Sequence, residues 1–222
     1  MLRIDQAPEP VSFKTSVEIP GDAWLQAHPT RQADEKMPDY WKACAKDLFE
    51  AYHGICAFTL MRIKKAHGKE MDHFRPKSLP RYRNLAYKWT NFRLVSPRIN
   101  KKKWAHLLAD PFKIPKDGFY IDFSDGRIQV NPRWQKSPVV SKLLQKTRDQ
   151  LALNDEGLPE GRKEAYDDYM NQDPQYHSGI CVVVRECPFV AYEMLRQGWL
   201  RAEDRDICRN ILKSIGFSWI TA

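Results

Sequence analysis

The residues best suited to chemistry are an acidic residue, a histidine and two asparagines. Asp72 and His73 are adjacent, Asn91 follows, and Asn100 comes nine positions after Asn91. An imidazole has an unperturbed pKa of about 6.5, so near neutral pH its free nitrogen can accept a proton from water. Carboxylate and amide oxygens favour Mg²⁺ or Mn²⁺ over zinc. The set could therefore hold one divalent cation beside one general base.

The elements that must position these residues are short strands and a helix. Residues 55–63 and 70–73 are predicted to form short strands, and residues 85–95 a loop with a further short strand. A helix is predicted over residues 98–108, with Pro97 just before it. A strand, a loop and a helix in this order can bring one metal and one base into the same small volume.

The positive charge of the chain is concentrated around the same residues. The net charge is +8, and ten basic residues lie between Phe74 and Lys103, a stretch without an acidic residue. Aromatic residues alternate with these basic residues, as expected of a surface that follows phosphates. A charge run alone is more often a solvated face. The residues expected to contact phosphates are Arg75, Lys77, Arg93, Arg98, Lys101, Lys102 and Lys103, and the aromatic residues among them are Tyr82, Tyr87, Trp89 and Phe92.

The motif resembles that of HNH endonucleases in the ββα-metal (His-Me finger) superfamily. It reads Asp-His-x-x-Pro-x-Ser over residues 72–78, followed by Asn91 and Asn100. More narrowly, several stretches between residues 40 and 170 are similar to the HNH subunits of Septu and related retron anti-phage systems. These stretches are Cys56-Ala57-Phe58-Thr59, His73-Phe-Arg-Pro-Lys-Ser, Tyr87-x-Trp89-x-Asn91, residues 151–158, and Arg162.

The resemblance implies a role for each residue of the motif. His73 would be the general base, Asp72 and Asn100 would hold Mg²⁺ or Mn²⁺, and Asn91 would hold the loop that orients the imidazole. The implied activity is hydrolysis of DNA phosphodiester bonds by the effector of a bacterial anti-phage defence system. The implied partners are DNA and a separate ATPase subunit that controls the effector.

The chain departs from the family at its structural zinc site. Many family members carry two C-x-x-C pairs that bind a zinc ion bracing the motif. Of these four positions only Cys56 is a cysteine here, and Thr59, Ser96 and Ile99 occupy the other three. We therefore expect no structural zinc, and we expect apolar packing in its place.

The fold class expected is α+β, with a ββα-metal core inside a mostly helical protein. We expect an extended N-terminal arm over residues 1–34, a nuclease core with a preceding helix over 35–110, and a hairpin followed by helices over 111–222. The helix before the core is predicted over residues 38–52, the hairpin over 119–130, and the later helices over 138–152, 159–171, 187–198 and 203–214. No apolar run approaches the roughly 20 residues of a membrane span, and the N-terminus lacks a secretory signal, so we expect a cytoplasmic protein without membrane contact.

Two other functions fit the same residues. The first is an RNase on the same scaffold, for example one that cleaves tRNA, because nothing in the motif reads the 2′-hydroxyl. The second is a non-catalytic nucleic-acid-binding or scaffolding subunit. Taken singly, Asp72-His73 could be a surface pair, Asn91 a turn residue and Asn100 a first-turn residue of its helix. Their occurrence together, in order and within the basic stretch, favours catalysis.

Overall fold

The N-terminal segment packs against the rest of the protein and is partly helical. The computed structural model describes residues 3–30, 36–64, 68, 70–155, 157–171, 175 and 177–220. Residues 1–2 and 31–34 of the expected extended arm lie outside these. Within the arm, a π-helical turn (Lys14–Glu18) leads into helix α1 (Ile19–Ala27), so this part is helical rather than extended. Phe13 and Val17, four positions apart, are buried. This spacing places both on one helical face.

The segment before the candidate motif is a short helix followed by turns. A 3₁₀ turn (Tyr40–Cys44) leads into α2 (Ala45–Ala51), close to the predicted helix. The strand predicted over residues 55–63 is absent, because the chain there forms turns joined by a single β-bridge between Ile55 and Arg62. The turns nevertheless lie against the strand that contains Leu94, since Ala57 N donates to Leu94 O at 2.9 Å.

Two antiparallel strands and a helix carry the candidate motif. β1 (Glu70–His73) pairs with β2 (Phe92–Val95), so that His73 lies opposite Phe92. All four residues of β2 are buried, so this strand of the pair lies within the core. The helix α3 (Pro97–Lys103) follows β2 directly and packs against β1.

The ends of α3 are set by local backbone chemistry. Ser96 caps the helix, since its hydroxyl accepts a hydrogen bond from Ile99 N at 3.4 Å, and Pro97 occupies the first turn. The helix stops at Lys103, five residues before its predicted end. Trp104 takes a φ of +41°, which is outside the helical region.

The C-terminal half is a hairpin followed by helices. β3 (Phe119–Ile121) and β4 (Ile128–Val130) form the predicted hairpin. The described helices are α4 (Pro138–Gln150), α5 (Leu158–Met170), α6 (Ile180–Glu186), α7 (Pro188–Gln197) and α8 (Asp204–Ser214). Four of them agree with the prediction to within about two residues, whereas α6 was not predicted. Its run of three valines has low helix propensity, and packing against α7 and α8 overrides it.

One apolar core joins the two halves. The buried apolar side chains of the described residues form a single cluster that extends from Ile4 to Ile220. With two small antiparallel sheets among the described residues and helices around them, the α+β class is confirmed. No helix of the described chain is both long and apolar enough to cross a membrane.

Candidate active site

Three of the four motif residues, all except Asn91, line one cleft of about 610 Å³, here called the central cleft. It is bounded by β1, the loop after β1 and α3. Asp72, His73 and Asn100 all line it, together with Trp41, Lys77 and Trp104. The geometry of each side chain decides what these residues can do.

His73 is held in one tautomer by a backbone carbonyl. Its Nε2 lies 2.9 Å from Ala86 O, and a carbonyl can only accept, so Nε2 carries the proton. Nδ1 then holds the lone pair, and no described residue makes a hydrogen bond to it. Burial, followed by the positive charge of Lys77, lowers the pKa of His73 to about 3. The imidazole is therefore neutral near pH 7, with the lone pair of Nδ1 unprotonated.

The ring of His73 is also fixed by aromatic neighbours. Trp41 and Phe92 meet it edge to face, with ring centroids 4.9 and 5.3 Å away. Such T-shaped contacts favour one orientation of the imidazole over its alternatives. The hydrogen bond to Ala86 and the two aromatic rings together leave the base little freedom to rotate.

Asn91 holds the loop that supplies the carbonyl of Ala86. The Asn91 side chain is buried and makes three hydrogen bonds to this loop. Its Oδ1 accepts from Arg75 N at 2.7 Å, and its Nδ2 donates to Arg75 O and Leu85 O, both at 3.0 Å. Leu85 directly precedes Ala86. Asn91 therefore acts on the imidazole through the loop, and it is a positioning residue rather than a group that touches substrate.

Asp72 is buried and only partly satisfied. Its Oδ1 accepts a hydrogen bond from Lys103 Nζ at 3.0 Å, and Lys103 also donates to His73 O at 3.2 Å. Its Oδ2 is buried without a hydrogen-bond partner among the described residues. Burial raises the pKa of the Asp72 carboxyl and lowers the pKa of Lys103, and each partner opposes the shift of the other. An unpartnered buried carboxylate oxygen is the feature that a cation would satisfy.

Asn100 faces a carboxylate that sequence reasoning missed. Its Nδ2 donates to Glu70 Oε2 at 2.6 Å, which leaves the amide oxygen as an acceptor. Glu70 lies two positions before Asp72, and this period-2 spacing was the available signal, because it places both carboxylates on one face of β1. No group of three His, Cys, Asp or Glu gathers around a point in the described chain. The candidate donors are thus two carboxylates and one amide, all oxygen, which fits Mg²⁺ or Mn²⁺.

Several residues expected to contact phosphates are occupied inside the fold. Lys103 is 0% exposed, and Arg93 is buried against Asp110, with Nη2 2.7 Å from Oδ1. The expectation of a phosphate contact is therefore not supported for these two. Arg98 donates to the carbonyls of Ala152 and Asp155. A charge run in sequence could not separate such internal cations from surface ones.

Two of the expected phosphate-binding cations, Lys77 and Lys101, line the central cleft. Lys101 is exposed and lines it, and Lys77 lines it with Nζ 3.4 Å from the centre of the Trp41 ring. Arg75 stacks on Tyr82, and Lys102 is partly buried. The aromatic residues expected between the cations behave differently, since Tyr87, Trp89 and Phe92 belong to the core. Fewer of these cations and aromatic residues are at the surface than the sequence implied, and two of the cations line the central cleft.

The four positions that would carry the zinc cysteines also meet. Cys56, Thr59, Ser96 and Ile99 line one further cleft of about 560 Å³, on the side of α3 that faces the turn after α2. Cys56 and Ile99 are buried. The fold therefore brings the pair Cys56 and Thr59 next to the pair Ser96 and Ile99, forty positions later in the chain.

No protein-family model matches this chain, and no curated protein matches it either. The geometry of the central cleft is thus the ground for a functional conclusion.

Proposed function

We propose that the chain is a metal-dependent endonuclease of the HNH, or ββα-metal, kind that hydrolyses DNA phosphodiester bonds. The observation that carries the proposal is the hydrogen bond from His73 Nε2 to Ala86 O, because it leaves Nδ1 as a neutral base at a cleft that also contains Asp72 and Asn100. No described residue makes a hydrogen bond to Nδ1, so this nitrogen is available to a water molecule in the cleft.

The protein's part in the reaction follows from these contacts. His73 Nδ1 accepts a proton from the water molecule that attacks phosphorus, and the imidazole keeps its orientation through Ala86 O and the loop held by Asn91. Lys77 and Lys101 line the same cleft and supply positive charge for the phosphate groups on either side of the cut.

The oxygen donors that would hold Mg²⁺ or Mn²⁺ are Asp72 and Asn100, with Glu70 beside them. Asp72 Oδ2 supports this assignment, since it is buried and has no described partner. When bound, the ion would stabilise the charge that develops on the phosphate and leaving oxygens. Lys103, which now contacts Asp72 Oδ1, provides a positive charge in the same place without any metal.

Two features of the scaffold support the ββα-metal assignment. The order of β1, β2 and α3 along the chain is strand, strand, helix, and the motif residues lie on β1, before β2 and on α3. The four zinc positions of the family meet at one cleft beside α3. Both features agree with what the resemblance implies for the scaffold around the motif.

The proposed setting is an anti-phage defence complex in which an ATPase subunit controls the nuclease. All residues lining the central cleft lie between Trp41 and Ala105. The helices α4 to α8 do not line this cleft, so a controlling partner could bind them without contacting the catalytic residues.

The test is cleavage of labelled DNA by the purified protein with Mg²⁺ or Mn²⁺. We expect His73→Ala to lower the rate by about 10²-fold or more, since it removes the general base. The matched control is His177→Ala, because His177 bonds to Tyr169 O in the helical half, away from the cleft. Circular dichroism checks that both variants fold. Equal cleavage by His73→Ala and the wild type would refute the proposal.

The same assay separates the two rival functions. Labelled RNA of the same sequence, tested in parallel, distinguishes an RNase from a DNase. One observation favours a non-catalytic subunit, namely that Lys103 already neutralises Asp72 from within. Salt-sensitive binding of nucleic acid without any metal-stimulated cleavage would support that function.

A further inference from the structure

Trp104 is held in a backbone conformation that a tryptophan does not favour. Its φ is +41°, in the region that glycine adopts readily and bulky residues avoid. Hydrogen bonds fix the backbone on both sides, from Trp104 N to Asn100 O and from His106 N to Lys103 O, both at 2.9 Å. Backbone strain of this kind persists only where the surrounding structure holds the residue in place. Such strained residues are found mainly at functional sites.

The side chain of Trp104 is placed outside the core. It is 77% exposed, whereas tryptophan side chains are mostly buried. The described aromatic ring that it contacts is His106, at a centroid distance of 6.5 Å. A glycine at this position would remove the backbone strain and lose little packing. The demands of the fold therefore give no reason for an indole here.

The position of Trp104 is informative because the residue lines the central cleft with His73 and Asn100. Lys101, three positions earlier, is exposed and lines the same cleft, and no described carboxylate lies within salt-bridge distance of it. An aromatic face beside an unneutralised cation suits a ligand that is flat at one end and anionic at the other. A nucleotide unit has this chemistry, with a base that stacks and a phosphate that pairs with the lysine.

We propose that Trp104 is a nucleobase-binding subsite. An unpaired base stacks on the indole while the enzyme cuts the neighbouring phosphodiester bond. This inference rests on the proposed nuclease function. It names the preferred substrate as single-stranded or locally opened nucleic acid, because a base inside an intact duplex presents no free face to the indole. Lys101 holds the adjoining phosphate.

The test compares three variants on a single-stranded oligonucleotide and on the corresponding blunt duplex. Trp104→Gly should raise KM for the single strand about tenfold or more, with a smaller change in kcat, because the ring contributes binding and not proton transfer. Trp104→Phe should recover part of the affinity, since it restores an aromatic face. Trp199→Ala is the matched control, because Trp199 is also exposed, at 47%, and lies outside the central cleft.

Stability separates a stacking role from a structural one. Trp104→Gly should unfold at the same denaturant concentration as the wild type or at a higher one, because glycine takes the positive φ without strain. A lower midpoint with an unchanged KM would show that the ring is structural and would overturn the inference.

The failure of the inference is distinguishable from the failure of the proposed function. If the wild type cuts nucleic acid and Trp104→Gly has the same KM on single strands, only the subsite is rejected. If the wild type cuts neither DNA nor RNA with Mg²⁺ or Mn²⁺, the proposed function fails and the subsite fails with it. A preference of the wild type for intact duplex over single strands also rejects the subsite.

Discussion

Among the described residues, Asp72 on β1 and Glu193 on α7 are the two buried carboxylates, and their oxygens are used differently. Each is paired with one cation, Lys103 and Arg196 respectively. Both oxygens of Glu193 accept hydrogen bonds, whereas Asp72 Oδ2 has no described partner. The two sites are equally protected from water, at 3% and 0% exposure, so burial alone does not explain the difference.

The surroundings of Glu193 show what a structural carboxylate looks like in this fold. Its Oε2 accepts from Ile121 N at 3.3 Å and from Gln197 Nε2 at 3.0 Å, and Arg196 contacts both oxygens. Glu193 thus ties β3 to α7 and leaves no acceptor unused. Because an unsatisfied buried acceptor costs free energy, the open oxygen of Asp72 supports the proposal that this carboxylate is a metal ligand.

The largest effect that tests this difference is removal of the cation from each pair. Lys103→Met, measured by urea unfolding in a chelator, should lower the free energy of unfolding by about 3–5 kcal/mol, because it leaves Asp72 buried without a counter-charge. Adding Mg²⁺ should recover part of the loss, since the freed carboxylate can then bind the ion.

Arg196→Met is the matched control. Arg196 is partly exposed, and Glu193 keeps its bonds to Ile121 N and Gln197 after the substitution. We expect a smaller loss of stability and no response to Mg²⁺. If Mg²⁺ stabilised both variants equally, or neither, Asp72 would not be a metal ligand distinguishable from Glu193.

The second effect is on cleavage and follows from removing the charge of each carboxylate. Asp72→Asn should reduce metal-dependent cleavage by at least about 100-fold. Loss of a residue that only hydrogen-bonds to a metal ligand already lowers metal affinity or activity about 10- to 100-fold. Glu193→Gln should reduce stability and leave the rate per folded molecule near that of the wild type. Rates are compared at equal concentrations of folded protein, determined by unfolding curves. A similar loss of rate in both variants would mean that the two carboxylates act only through the fold.

The third effect is a pH dependence of stability that is confined to the cleft. The pKa of His73 is lowered to about 3 in the folded protein, by burial first, while an unfolded histidine titrates near about 6.5. Below that pH the unfolded chain takes up a proton that the folded chain does not, so stability falls as the pH decreases. Between pH 7 and pH 5.5, the free energy of unfolding of His73→Gln should therefore fall by about 1 kcal/mol less than that of the wild type. Asp72 is present in both proteins, so its contribution cancels in the comparison, and parallel pH curves would show that folding does not lower the pKa of His73.

The sequence was sufficient to find residues whose spacing reflects a local element. The order Asp72, His73, Asn91 and Asn100 placed the site on β1, before β2 and on α3, and the helices of the C-terminal half were located from their apolar period. Period-based reasoning failed where tertiary packing determined the structure. The helix α6 forms from a valine run because α7 and α8 cover it.

The sequence could not tell which charges are internal. Arg93 and Lys101 look equivalent within the basic stretch, yet Arg93 is buried on Asp110 and Lys101 is exposed at the central cleft. That distinction depends on a partner seventeen positions away, which no local pattern indicates. The acceptor of the His73 proton, Ala86 O, is a backbone atom and carries no signal in the sequence either.

The last prediction compares the open oxygen of Asp72 with a second group of residues, which substitution could turn into a metal site. Cys56, Thr59, Ser96 and Ile99 line one cleft, so the triple variant Thr59→Cys, Ser96→Cys, Ile99→Cys should bind one zinc ion per chain, measured by metal content and by release to a chelator. Replacing Ser96 removes the N-cap of α3 and lowers stability by about 1 kcal/mol. Zinc binding outweighs this loss, since it contributes roughly 10–16 kcal/mol in zinc-finger peptides. Cleavage should change least of all, because the cleft of Cys56 shares only Pro97 with the central cleft. The same three substitutions with Cys56→Ala should bind zinc more weakly, and equal uptake by the two variants would show that these four positions do not form a tetrahedral set.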